Sequence, residues 1–174
     1  LGREQEKMQK ERLVGVDSGF FEIFHTPVLK GKITNDLFKR KDFVILTESA
    51  AQKYFKDEDP IGQFLNVKFL EEKETMIVEA VIADPAPNSH FTYEVLYNLT
   101  AAQLPSFLFT YWGTWAFYSY INVHNDTDIV ALKDKINAIS EKNQGAGDDN
   151  FQSWLDAGNY YDYFLQPLTS IHLN

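Results

Sequence analysis

Phe43-Val44-Ile45-Leu46-Thr47-Glu48-Ser49-Ala50-Ala51-Gln52-Lys53-Tyr54-Phe55 is the stretch from which the fold of this chain is read. Its first four residues form a continuous apolar run suited to a covered strand, and Thr47 can cap a helix over Glu48 to Phe55. On that helix Ala51, Tyr54 and Phe55 fall at i, i+3 and i+4 and make an apolar stripe, while Glu48 suits the positive end of the helix dipole. Asp59-Pro60-Ile61-Gly62 then turns the chain into Leu65-Asn66-Val67-Lys68-Phe69, whose period of two predicts a strand with one wet face. A charged turn, Glu71-Glu72-Lys73-Glu74, returns it through Met76 to Ile82. Those residues are nearly all apolar, which predicts a central strand covered on both faces. Nothing between Val44 and Asp84 resembles a catalytic apparatus.

Upstream, residues 1 to 12 alternate basic and acidic side chains and predict a solvent-facing or frayed segment. Leu13 to Asp17 enters the core. Phe20, Ile23 and Phe24 share one face at helical spacing, and His25-Thr26-Pro27 stops that turn because the residue before proline is pushed out of the helical region. From Val28 to Asp42 the pattern predicts a surface loop with at most a short helix, its basic cluster Lys39-Arg40-Lys41 solvated.

Downstream, Asp84-Pro85-Ala86-Pro87-Asn88-Ser89-His90 predicts a stiff connector, since its prolines cannot donate sheet hydrogen bonds. Tyr93 to Leu99 alternates as a strand, residues 101 to 114 form an aromatic segment without a clear period, and Phe117 to Val123 alternates again. Asn125-Asp126-Thr127-Asp128 offers caps for the clearest helix, Ile129 to about Lys142. Its residues Ile129, Leu132, Ile136 and Ile139 are expected to pack onto a sheet. Residues 145 to 150 predict a flexible loop, and a short element near Phe151 to Leu155 precedes a strand from Tyr160 to Gln166 that ends at Pro167.

Composition narrows the function classes. The chain has 174 residues, 44% of them hydrophobic, enough for one domain or one domain of two lobes. It has no cysteine, so disulfides, thiolate metal sites and a cysteine nucleophile are excluded. A net charge of −9, from 16 basic and 25 acidic residues, argues against nucleic acid as a partner and against docking on anionic lipid. No apolar run approaches the roughly 18 residues needed to span a bilayer. The 14 Phe, 9 Tyr and 3 Trp fit the core of a β-rich domain.

Candidate chemistry is sparse. His25, His90, His124 and His172 are scattered, with none paired at i, i+3 or i+4, and no His-Glu-x-x-His arrangement for zinc occurs. His90 has the most polar company, yet Asn88-Ser89-His90 is equally what a hydrogen-bonded turn needs. Neither a nucleophile elbow, nor a phosphate loop, nor a dinucleotide fingerprint is present. Asp126-Thr127-Asp128 and Asp148-Asp149-Asn150 lack the spacing of a calcium loop and read as caps and solvated turns. Asn98-Leu99-Thr100 and Asn125-Asp126-Thr127 match the glycosylation triplet, a pattern that chance often supplies. The expectation is therefore no catalytic, cofactor-binding or metal-binding residue and no cofactor. Three classes are weighed: an interaction and force-transmitting module, a ligand-binding domain, and a hydrolase, which has least support because no polar constellation converges.

A family resemblance joins these observations. Val44-Ile45-Leu46-Thr47-Glu48-Ser49-Ala50-Ala51, Tyr54-Phe55, Asp59-Pro60-Ile61-Gly62-Gln63 and a strand closing on Asp84 together resemble the extracytoplasmic core domain of MacB-like, FtsX-like ABC-transporter permeases. Val16 to Phe24 and Leu29-Lys30-Gly31 resemble the same family upstream. Pro87 to Phe91 and Gln166 to Leu173 resemble a branch common in Bacteroidetes-type bacteria. The resemblance implies an α+β fold of two lobes with mixed or antiparallel sheets and a few short helices. One lobe would be a small βα-rich piece covering about 40–90, and the other would combine 1–39 with 91–174, short of the family's first strand and helix at its N-terminal end. It also implies a non-enzymatic part of a permease on the periplasmic side of the bacterial inner membrane, with membrane helices flanking it. Its implied partners are a cytoplasmic ATP-binding subunit, a periplasmic or outer-membrane protein, and a second copy in a dimeric transporter. The alternative is a domain binding hydrophobic peptide, lipid or sugar through the aromatic segment 107–120.

Overall fold

A computed structural model describes residues 11–69, 72–101, 104–110, 112, 116–145, 151–160 and 162–171. The chain divides into two compact units, Leu1–Leu104 and Pro105–Asn174. The first holds a six-stranded mixed sheet of β1 (Leu13–Val16), β2 (Val28–Gly31), β3 (Phe43–Thr47), β4 (Phe64–Phe69), β5 (Glu72–Ile82) and β6 (Val95–Asn98). Their order is β1-β6-β3-β5-β2, with β4 also on β5. β1 runs parallel to β6, β6 antiparallel to β3, and β3 parallel to β5. Ile77 pairs with both Phe43 and Phe64, and Ala80 with both Ile45 and Gly31. A strand residue has only two edges, so β4 and β2 share the edge of β5 that faces away from β3.

All five residues of β3 are buried, as a central strand with two covered faces requires. Val44 and Leu46 join a cluster with Ala50, Ala51 and Phe55 of α2 (Glu48–Phe55). Phe43 and Ile45 join another with Phe20 of α1 (Gly19–Phe24) and Leu37 of a 3-10 turn, Leu37–Lys39. Each of the larger of these side chains contributes about 1.5–3 kcal/mol by leaving water.

On β5, Met76 and Val78 belong to the α2 cluster, but Ala80 and Ile82 belong to the other. Even-numbered residues would share one face of a regular strand. Here Val44 pairs with Val78 and Ile45 with Ala80, leaving Glu79 as an extra residue. That bulge exchanges the faces of everything after it. Across the other edge Gly31 pairs with Ala80 at φ +76°, and a Cβ there would lie 2.1 Å from the Glu79 carbonyl oxygen. Only glycine fits this approach. The Glu79 carboxylate accepts from Arg40 Nη1 at 2.5 Å, while Arg40 Nε donates to Asp42 at 2.9 Å.

The expected cap is present: Thr47 is extended and its Oγ1 accepts from the Ala50 N–H at 3.2 Å. Asp84 adds a second acceptor at the same helix end, receiving the Ser49 N–H at 3.1 Å and the Ser49 hydroxyl at 2.7 Å. The Asp59–Gly62 turn closes with Gly62 at φ +77° and its N–H on the Val78 carbonyl at 2.8 Å.

The mixed sheet with a few helices is the expected α+β class, but several local expectations differ. Val28–Gly31 is strand and not loop, because the bulged β5 leaves an edge for it beyond the end of β4. Glu72, Lys73 and Glu74 lie in β5 opposite Phe69, Lys68 and Val67, so the hairpin connection is residues 70 and 71, outside the described residues. The expected lobe boundary near 90 falls inside one sheet, since β6 pairs with β3. Residues 84–92 thus lead from β5 past the end of β3 to β6, where the Thr47 N–H donates to Glu94 O at 3.0 Å, and the division between units comes at 104/105. Residues 1–10 also lie outside the described residues.

The second unit contains α3 (Phe107–Thr110), α4 (Ile129–Gly145), α5 (Phe151–Asp156) and a 3-10 turn, Leu168–Ser170. Asp128 caps α4 through the Ala131 N–H at 3.0 Å. Its described residues hold no strand, so the expected strands at 117–123 and 160–166 are absent among them, Tyr161 being outside the description. The loop at 146–150 is likewise outside it. Polar contacts hold Asp162 and Tyr163 to α4: Asn137 Nδ2 donates to Asp162 Oδ1 at 3.0 Å, and the Tyr163 N–H donates to Asn137 Oδ1 at 2.7 Å.

Gly31→Ala tests the bulge. Positive φ with a β-carbon and the clash with Glu79 O should together cost at least about 2 kcal/mol. Chemical denaturation should show the full loss, and an unchanged midpoint would mean that β2 does not need this approach.

Candidate functional site

Three of the four histidines flagged by the sequence lie among the described residues. His25 caps the end of α1 at φ +45°, exposed, with Nδ1 3.1 Å from the Ile23 carbonyl. His90 stacks edge-on against Phe91 at 4.4 Å and lies 6.1 Å from the Phe24 ring. His124 is exposed beside the Thr127 turn, and its carbonyl accepts the Thr127 N–H at 3.1 Å. His172, Asp148, Asp149 and Asn150 lie outside the described residues. Among the described residues, no group of three His, Cys, Asp or Glu could hold a metal ion.

The carboxylates of the first unit act as ties between elements. Glu11, its side chain nearly buried, pairs with Lys53 of α2 and accepts from the Tyr54 hydroxyl at 2.5 Å. Burial would raise its pKa, but the bonds from Lys53 and Tyr54 prevail and hold it below the usual carboxylate range. Asp42 is lowered by its bond from Arg40. At Asp84 burial again pulls upward, and the hydroxyl and N–H of Ser49 outweigh it, so the carboxylate titrates low. In the second unit the Lys133 bond lowers Asp162.

A buried amide was missed in the sequence. Asn98 Nδ2 donates to the carbonyls of Phe38 at 2.8 Å and Arg40 at 2.7 Å, and its Oδ1 accepts the N–H and hydroxyl of Thr100, both at 3.0 Å. It fastens the 3-10 turn to the end of β6. The match of Asn98-Leu99-Thr100 to a glycosylation triplet concealed this role, and a polar residue ending an apolar strand was the available clue.

What remains outward-facing is aromatic. In the segment 107–120, Phe107, Phe109, Trp112, Phe117 and Tyr118 are exposed, and the rings of Phe109 and Phe117 stack at 5.3 Å. Residues 111 and 113–115 lie outside the described residues. Such rings offer apolar contact area and π faces.

A family model, the MacB-like periplasmic core domain, matches residues 2–139. The chain belongs to this family. A domain assigned to a permease protein of Porphyromonas gingivalis shares the fold at a TM-score of 0.64 and 16% identity, over 83% of this chain and 64% of that one. The periplasmic region of MacB from Actinobacillus actinomycetemcomitans matches at 0.52 and 17%, over 83% and 64%. The extracellular domain of the noncanonic ABC-type transporter YknZ from Gram-positive bacteria matches at 0.51 and 19%, over 80% and 70%. The chain therefore spans less than two thirds of the first two. No curated protein matches it.

Asp84 gives this MacB-like domain a pH signature. Its folded pKa lies below the unfolded value, so its contribution to stability is full above the ordinary carboxylate pKa and is lost as pH falls through the lower folded one. Asp84→Asn should lower stability at neutral pH, by about 1 kcal/mol for lost charge-assisted capping. The difference from the parent chain should shrink as pH falls below the ordinary carboxylate pKa of about 4. A constant gap across a urea-denaturation series at these pH values would contradict the assignment.

Proposed function

We propose that residues 1–174 work as one periplasmic core domain within an ABC-transporter permease, on the periplasmic side of a bacterial inner membrane. The match to MacB-like periplasmic core domains over residues 2–139 carries this reading. On it, the domain is an interaction and force-transmitting module and not an enzyme. A separate cytoplasmic subunit hydrolyses ATP, and movement reaches this domain through membrane helices of the same polypeptide. A periplasmic or outer-membrane protein and a second permease copy are its partners. The chemistry of the first unit supports the reading, because Glu11, Glu79, Asp84 and Asn98 spend side-chain polar atoms on joining one element to another.

Topology tests this directly, since the chain has no cysteine of its own. Gln52→Cys, on the exposed side of α2, should be labelled by a membrane-impermeant maleimide in the intact polypeptide of cells with a permeabilised outer membrane. Labelling only after lysis of the inner membrane would overturn the location. Calorimetry of the 174-residue chain with millimolar ATP should show no heat of binding, and a saturable signal would count against a separate ATP-binding subunit.

A second reading rests on the exposed rings of 107–120: this surface binds a hydrophobic peptide, lipid or sugar. Titration with apolar peptides, followed by tryptophan fluorescence, separates the two. A saturable shift abolished by Phe109→Ala favours a ligand surface.

A further inference from the structure

The long strand β5 carries two partners end to end on one edge. β2 pairs with residues 80–82 and β4 with residues 72–77, both antiparallel to β5, so the two run in one direction and form a single split edge along it. At about 3.3 Å per residue that edge is roughly 33 Å long. No further strand pairs with β2 or β4 among the described residues.

Register decides which backbone groups face out. The Ala83 N–H donates to Pro27 O at 2.9 Å, and the Val78 N–H donates to Gln63 O at 2.9 Å. In an antiparallel ladder those bonds make Val28–Ile82 and Phe64–Ile77 non-hydrogen-bonded pairs, and Asn66–Thr75 and Lys68–Lys73 follow in the same phase. The N–H and carbonyl of Val28, Phe64, Asn66 and Lys68 therefore point away from β5, and all four residues are exposed.

The side chains of this edge are apolar and basic. Val28, Leu29 and Phe64 are 44%, 47% and 51% exposed. Among the four residues of β2 and the six of β4 stand Lys30 and Lys68 and no carboxylate, and Lys32 follows just beyond β2, in a chain whose net charge is −9. Lys30 meets Asp59 at 3.7 Å, with both side chains more than half exposed. Lysine on an open edge turns away neutral strands, and it turns away a second copy of the same edge because like charges on neighbouring strands repel. A strand that brings carboxylates meets no such barrier.

We propose that this split edge takes an extended acidic segment of a partner protein as an added strand. Hydrogen bonds to the outward backbone groups hold the segment, its apolar side chains cover Val28, Leu29 and Phe64, and its carboxylates meet Lys30, Lys32 and Lys68. This goes beyond the proposed function, and its failure would leave family membership and the periplasmic location untouched.

A fluorophore-labelled, end-capped peptide of alternating valine and glutamate, titrated with the 174-residue chain and followed by anisotropy, tests it. Binding should saturate below millimolar protein, and hydrogen exchange at 28–31 and 64–68 should slow by about tenfold in the complex while β3 is unchanged. Lys32→Glu should weaken binding about tenfold, and if that variant folds poorly, Lys30→Glu gives the same reading. A valine–lysine peptide should not bind the parent chain but should bind the variant. Methylation of every amide nitrogen in the valine–glutamate peptide keeps its charge and removes its donors, and it should abolish binding. Absence of saturation, or equal binding of the methylated peptide, would overturn the proposal. So would binding to phosphatidylglycerol vesicles without binding to the peptide, which would assign the lysines to lipid, or a dimer of the chain that the peptide dissociates, which would assign the edge to a second copy.

Discussion

One residue too many on β5 sets the arrangement of the first unit. Without the bulge at Glu79, Met76, Val78, Ala80 and Ile82 would all lie on one face, and the end of the strand would offer the cluster around Phe20 nothing but Ile77, Glu79 and Val81. With it, β5 packs against α2 through Met76, Val78 and Val81 and against α1 through Ala80 and Ile82. The consequences spread outward. Gly31 must be glycine to pass the bulged carbonyl, Arg40 must reach back to the Glu79 carboxylate, and the turn that carries Arg40 is in turn fastened by Asn98. A chain of four local necessities thus links β2, β5, the 3-10 turn and β6.

This explains what could be read in advance and what could not. β3, α2, the turn at Asp59–Gly62 and the alternation of β4 were legible because each is fixed by neighbours within a few residues: an apolar run, a capping threonine, a proline-glycine turn, a period of two. β2 was not. Val28, Leu29 and Lys30 are all exposed, so no burial pattern marks them, and their strand state comes from an edge offered by residues some fifty positions later. The bulge was hidden because a nearly continuous apolar run has no phase to lose. The lobe boundary misled for the same reason, since two prolines announce a stiff connector but cannot say whether it joins lobes or strands.

The candidate site shows the opposite balance. The sequence carried no constellation of catalytic residues, and the structure places the three described histidines at a helix end, in a ring stack and at a turn. What sequence could not reveal was the use of Glu11, Glu79, Asp84 and Asn98 as ties, because the elements they reach lie from 35 to 60 residues away. Distance in sequence, and not weakness of the interaction, is what concealed them. In α4 the expected packing of Ile129 and Ile139 onto a sheet is not seen: both are exposed, while Ser140 and Gln144 are buried.

Those ties bear on how the domain could serve a transporter on the proposed reading. A part that relays movement must shift as a body, and a displacement applied at one edge has to reach the other before it dissipates in soft degrees of freedom. The sheet offers a continuous hydrogen-bonded path from β1 through β6, β3 and β5 to β2. Ion pairs and buried amides add cross-braces at its margins: Glu11 to α2, Asp84 to the start of the same helix, Arg40 to the bulge. A partly exposed ion pair such as Arg40–Glu79 adds little stability, about 0–1 kcal/mol. The effect of such ties on a rigid body lies elsewhere, in removing the local openings that would let an edge strand or a helix end yield first. On the proposed reading, weakening Glu11 or Asp84 would therefore damage the relay of movement more than it lowers the free energy of unfolding.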